Sequence, residues 1–183
     1  MKNLEEKTIA RSTAFQGCLL RLDVDQVELP DGNTAPREYI RHPGGVGVVA
    51  LTADNEVLLV RQYRYPYAEI LTEIPAGKRD PGEEPLVTGM RELEEETGYR
   101  AAKYTSLGTM YPTPGCCNEV VYLYLATDLT AADAHPDADE FLEVERCPLD
   151  EMVQRVLAGE ITDAKTQIAI LKTKLLLDSQ KEG

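Results

Sequence analysis

Three glutamates, Glu92, Glu95 and Glu96, stand at i, i+3 and i+4 between Pro85 and Gly98. Proline suits the first turn of a helix and glycine the position just past its end, so this spacing predicts a helix with the three carboxylates on one face. Carboxylates are hard oxygen ligands, and a group of them suits Mg²⁺ or Mn²⁺ better than zinc. Their placement is locally unfavourable. Glu92 and Glu96 repel at i, i+4, and Glu94, Glu95 and Glu96 crowd the turn where the helix dipole is already negative. A bound divalent cation would relieve this frustration, which is expected where function overrides local stability. A solvated acidic face is the alternative reading, and on these residues alone both stand. Leu86, Met90, Leu93 and Thr97 share an arc nearly opposite the glutamates, with Val87 at its margin, and are expected to face the core.

The elements that must position this helix are mostly strands. Leu20, Leu22 and Val24 alternate with charged residues, and the apolar phase then slips to Val27 and Leu29, which suggests a bulge or a break. Pro30-Asp31-Gly32-Asn33 reads as a turn, with Arg37 to Arg41 returning as a hairpin partner. Val46 to Leu51, Val57 to Val60 running on to Arg64, and Val120 to Leu125 read as further strands, the first and last as buried ones. Pro148 to Ala158 and Asp163 to about Leu177 read as amphipathic helices. Strands first, one helix in the middle and helices last imply an α+β or α/β/α layered fold rather than a doubly wound one.

Composition bounds the partners. With 183 residues and a formal charge of −13, the chain repels nucleic acid and anionic membrane, and it offers no field to draw in a phosphate ligand. A phosphorylated substrate would therefore need an added cation. Val120 to Ala126, the longest uninterrupted apolar stretch, is far too short to span a bilayer. The N-terminus has no signal-peptide core. Four cysteines without a C-x-x-C pattern suggest a reduced, cytoplasmic chain.

Gly77, Glu83 after five intervening residues, and Arg91-Glu92-Leu93-Glu94-Glu95-Glu96-Thr97-Gly98-Tyr99 after seven more match the Nudix box, G-x5-E-x7-R-E-U-x-E-E-x-G-U, with Tyr99 a mild departure at the last apolar position. The chain resembles the Nudix hydrolases on these residues. Arg61-Gln62-Tyr63-Arg64, Thr72 to Lys78, Pro112-Thr113-Pro114-Gly115 and Gly159 to Thr166 are similar to the ADP-ribose pyrophosphatase branch, so the resemblance spans about residues 36 to 175. It implies an α/β/α sandwich, the Nudix fold, with a mixed central sheet. Residues 1–43 would form an N-terminal antiparallel β extension exchanged with a second subunit of a homodimer, and 44–183 the hydrolase domain.

The implied reaction is divalent-metal-dependent hydrolysis of ADP-ribose to AMP and ribose 5-phosphate, with Mg²⁺ as the ion and Mn²⁺ as an alternative. The resemblance assigns Glu92, Glu95, Glu96 and the Ala76 carbonyl to metal, and gives Arg91 the role of orienting a box glutamate. Glu83 either helps an outer ion or is structural. The general base is expected in the loop 131–141, with Glu140 first, Asp139 next and Glu119 behind them; an ordinary acidic loop is the alternative. Arg64 is expected on phosphate, Arg41 on phosphate or the terminal ribose, and Glu73 on a ribose hydroxyl, with Gly115 and Glu119 from the proline-glycine signature. For the arginines and Glu73, a surface ion pair is the alternative. The chain has no tryptophan, so a tyrosine or Phe15 would stack on adenine. A GDP-mannose or other nucleotide-sugar pyrophosphatase is the second reading, and a non-catalytic nucleotide-binding module a third, against which the intact box argues.

Overall fold

The run from Gly45 to Leu51 is buried at every position, as expected for a strand covered on both faces. It is the axis of the larger of two compact units, residues 45–110 and 120–183. The computed structural model describes residues 3–136 and 141–181.

In this unit we number the strands β5 (Gly45–Leu51), β6 (Glu56–Arg64), β7 (Glu69–Glu73), β8 (Ala76–Lys78), β9 (Tyr99–Met110), β10 (Val121–Ala131) and β11 (Leu142–Pro148). The helices are α1 (Pro85–Thr97), α2 (Leu149–Leu157) and α3 (Ala164–Lys181). The sheet runs β11-β6-β5-β10-β9 and is mixed: β5 and β10 are parallel, their neighbours antiparallel. β6 pairs with β5 only at Ala50–Leu58 and Leu51–Val57, while β8 covers Gly45 to Gly47. The same strand is thus shared between two partners, and the segment carrying Glu73 to Lys78 enters the gap.

Alternate residues of β5 serve two cores. Val46, Val48 and Ala50 pack with Leu58, Leu93 and Ala126 on the α1 side. Val49 and Leu51 pack with Ile74, Leu123, Met152, Ile161 and Ile170 on the side of α2 and α3. The result is a helix–sheet–helix sandwich, the α+β architecture expected.

The smaller unit comprises residues 1–44 and 111–119. Its described strands are β1 (Lys7–Ala10), β2 (Thr13–Gln16), β3 (Arg21–Glu28) and β4 (Thr34–Arg41), all paired antiparallel through β3. The expected phase slip in β3 is not a bulge against β4, whose pairing runs unbroken from Arg21–Arg41 to Glu28–Thr34. The register shifts lie in the β1 and β2 pairings instead. Apolar alternation misreads the strand because its buried face carries Asp23 and Asp25 in phase with Val27. Asp23 is neutralised by Arg21 (2.6 and 2.9 Å) and Arg41, and accepts from the Thr13 hydroxyl at 2.9 Å. Those arginines hold its carboxyl well below the ordinary range. Among the described residues, no helix is long and apolar enough to cross a membrane.

Candidate active site

Helix α1 begins at Pro85 and stops at Gly98, whose φ of 70° a glycine adopts without strain. Its buried face differs from the apolar arc. Thr88, Gly89, Glu92, Leu93, Glu96 and Thr97 are buried, while Leu86, Val87 and Met90 are 38%, 52% and 46% exposed. Leu93 and Thr97 lie where the periodicity puts them; Leu86 and Met90 do not. The physical cause is a close approach that only small residues and inward carboxylates permit. A Cβ on Gly89 would stand 3.0 Å from Val46 and 3.2 Å from Val48, so the helix lies tight on β5 along this face.

Glu92 and Glu96 of the acidic face are therefore buried, while Glu95 stays partly exposed. A Cβ on Gly77 would meet the Glu92 carboxylate at 2.0 Å: the glycine is the space this side chain occupies. Glu96, 2% exposed, accepts the Ala76 N–H at 2.9 Å. Arg91 gathers the rest. Its Nη1 lies 2.8 Å from Glu92 Oε1 and 2.8 Å from Glu95 Oε2, and Nε and Nη2 each donate to Glu83 at 3.3 Å. Although burial disfavours its charge, Glu83, Glu92 and Glu95 together keep this guanidinium more firmly protonated than usual. Glu83 also accepts the Thr88 hydroxyl at 2.7 Å and the Asp80 N–H at 3.2 Å, and with Arg91 these hold its carboxyl at about 2. Glu94, in the same crowded turn, pairs with Arg100. The dipole-opposing carboxylates are thus compensated in part by two arginines.

Two carboxylates converge on a single cationic nitrogen, and carboxylate oxygens suit a hard cation. Among the described residues, no three acidic, histidine or cysteine side chains close on one point as an assembled metal cage would. The donors have the right chemistry and neighbourhood, with the Arg91 guanidinium between Glu92 and Glu95.

Arg64 and Glu73, both expected on substrate, are brought to each other. Arg64 Nε and Nη2 donate to the two Glu73 oxygens at 2.7 and 2.8 Å. Glu73 is 1% exposed and Arg64 38% on its side chain. Burial alone would raise the Glu73 carboxyl, but the Arg64 hydrogen bonds and the charges of Lys165 and Arg64 hold it at about 2. Lys165 also donates to Glu73 Oε2, and to Asp163 Oδ1 at 3.0 Å. Sequence reasoning gave Lys165, Asp163 and Thr88 no role. An aspartate ahead of an amphipathic helix signals a cap, but nothing in the spacing links that cap to Glu73.

Arg41, Gly115 and Glu119 belong to the smaller unit. There Arg41 donates to Asp23 and to the Tyr39 hydroxyl and stacks over the Tyr39 ring. Glu119 Oε1 lies 3.3 Å from His42 Nδ1, and Gly115 has open space where a side chain would be. Phe15 is 61% exposed on β2. Glu140 and Asp139 lie outside the described residues.

A family model described as NUDIX domain matches residues 41–168. The chain is 44% identical over 185 residues to the ADP-ribose pyrophosphatase of Bacillus subtilis (strain 168), covering 99% of this chain and 100% of that one. It is also 44% identical over 171 residues to the methanol dehydrogenase activator of Bacillus methanolicus, covering 92% of each. In fold it is similar to the crystal structure of an ADP compounds hydrolase, with a TM-score of 0.86 at 23% identity over 98% of both chains.

Proposed function

We infer the chemistry from one premise: this chain belongs to the NUDIX domain family. It is a pyrophosphohydrolase, and its substrate is ADP-ribose, cut at the diphosphate to AMP and ribose 5-phosphate. The observation that carries the substrate is the 44% identity, across the whole of both chains, to an ADP-ribose pyrophosphatase.

A diphosphate is anionic, and so is the cluster that receives it, in a chain of charge −13. A divalent ion, Mg²⁺ with Mn²⁺ as an alternative, would offset charge on the leaving phosphate and make a bound water more acidic. Glu92, Glu95 and Glu96 with the Ala76 carbonyl would hold it. Arg91 holds Glu92 and Glu95 near one another, and Glu83 fixes Arg91 through its second edge. Arg64, oriented by Glu73, binds a phosphate oxygen, and Arg41, oriented by Asp23, a phosphate or the terminal ribose. Gly115 leaves room for the substrate and Glu119 contacts it. Water adds to one phosphorus, the bridging P–O bond breaks, and Glu140 takes the proton from the water. The enzyme works as a homodimer in the reducing cytoplasm, with residues 1–43 as the exchanged extension.

The test is a product assay with Mg²⁺ and a panel of nucleoside diphosphate sugars. AMP released from ADP-ribose, with other sugars cut at least tenfold more slowly in kcat/KM, is expected. GDP-mannose as the preferred substrate would overturn the assignment.

A further inference from the structure

The first turn of α3 brings a lysine to a carboxylate that an arginine already grips with both donors. Lys165 is only 15% exposed on its side chain, Glu73 1% and Asp163 17%. Burying an ammonium is unfavourable unless a specific contact repays it. The mechanical tasks at this junction do not need it. Asp163 Oδ2 caps the helix by accepting the Thr166 N–H at 2.9 Å and its hydroxyl at 2.6 Å, and the Ile74 N–H donates to Thr166 Oγ1 at 2.9 Å. Asp163 and Thr166 thus already tie the helix cap to the backbone just after β7, without the ammonium.

What Lys165 adds is charge. Arg64, Lys165, Glu73 and Asp163 together balance to zero; without Lys165 the same cluster is an anion. An arginine locked in a fork with a buried carboxylate has its charge largely cancelled, and in a chain this acidic it then attracts phosphate weakly. A second cation on Glu73 Oε2 shares that anion between two partners, so that less of the Arg64 charge is cancelled while its orientation stays fixed.

We propose that Lys165 is a positioning residue for substrate, acting through Glu73 to keep Arg64 both oriented and cationic toward the phosphate of a nucleoside diphosphate sugar. This rests on the reading of Arg64 as a phosphate contact. A contact of that kind acts in the ground state and transition state alike, so its loss raises KM more than it lowers kcat.

The experiment is a double-mutant cycle on the full-length enzyme with ADP-ribose and Mg²⁺: Lys165→Met, Arg64→Met and the pair together, with Lys165→Arg as the conservative variant. Lys165→Met is expected to raise KM about tenfold while kcat changes less than about threefold. The Mg²⁺ concentration giving half-maximal rate should stay unchanged, and Lys165→Arg should restore most of the KM. In the Arg64→Met background, Lys165→Met should add less than about twofold, because the two act as one unit. A KM within about twofold of wild type for Lys165→Met, or an equal factor in both backgrounds, overturns the proposal. An Arg64→Met enzyme with normal KM removes the phosphate role itself; an impaired one beside a normal Lys165→Met enzyme removes only the positioning role. If Lys165→Met does not fold, Lys165→Gln, which keeps a polar head at similar length, carries the same cycle and the same criteria.

Discussion

At the scale of single residues, Gly77 is the most informative position of the box. Its missing side chain is the volume that the Glu92 carboxylate fills, at 2.0 Å from an ideal Cβ. The clashing atoms are the far end of a flexible side chain, so Gly77→Ala should displace the carboxylate rather than unfold the protein. We expect the Mg²⁺ needed for half-maximal rate to rise about tenfold or more, as for loss of a group that orients a ligand. The melting temperature should fall only a few degrees. Unchanged Mg²⁺ dependence in an otherwise folded variant would remove Glu92 from the ion. Glu73 yields a second expectation at this scale. Its carboxyl lies at about 2 in the folded chain against an ordinary 4.5, so its contribution is complete above 4.5 and is lost as the pH falls toward 2. Breaking its buried pair in Glu73→Gln should cost about 3 kcal/mol at neutral pH. The gap in urea midpoint between this variant and wild type should narrow from pH 5 to pH 3. A constant gap would mean that the charge on Glu73 does not stabilise the fold.

At the scale of elements, α1 turns its carboxylates in and part of its apolar surface out. Leu93→Ala, at 0% exposure, should cost about 2–5 kcal/mol of stability, and Met90→Lys, at 46%, less than about 0.5. Urea unfolding of the two variants checks this, and comparable losses would restore the apolar arc as the buried face. The helix span was legible in the sequence because proline and glycine bound it; the face was not, because hydrophobic phase cannot foresee that Gly77 and Gly89 open room for Glu92 and for β5. β5 and β10 were legible as continuous apolar runs. β9 was not, since this strand at the end of the sheet path is largely solvent-facing and its pattern carries few buried positions. The box residues could be read as one cluster because β8, the loop after it and α1 present them within one short run of chain. The Lys165 contact could not: Arg64 and Glu73 share the β6–β7 hairpin, but Lys165 reaches Glu73 from α3, 92 residues on, and no local spacing encodes that.

At the scale of the whole molecule, the excess of acid makes divalent-ion binding and stability two faces of one equilibrium. Mg²⁺ at about a hundredfold above its Kd should raise the melting temperature by about 5–10 °C, because only the folded chain assembles the ligands. The variant with glutamine at 92, 95 and 96 should show little of that shift; an equal shift would mean that the ions bind elsewhere on the acidic surface. The parallel register of β5 with β10 has a further consequence, for the order of assembly. Gly45 meets Val121, and the whole run bearing Glu73, Ala76 and α1 lies between them. Antiparallel neighbours can zip from a nearby turn, but this pairing must close a long loop first, which makes it an intrinsically slow event. As the chain leaves the ribosome, α1 is complete well before β10 is available, so its close-set carboxylates wait without the finished sheet beneath them. The cluster around α1 should be among the last parts of the molecule to gain protection from hydrogen exchange, and a nascent chain should acquire activity only after its final strands have emerged.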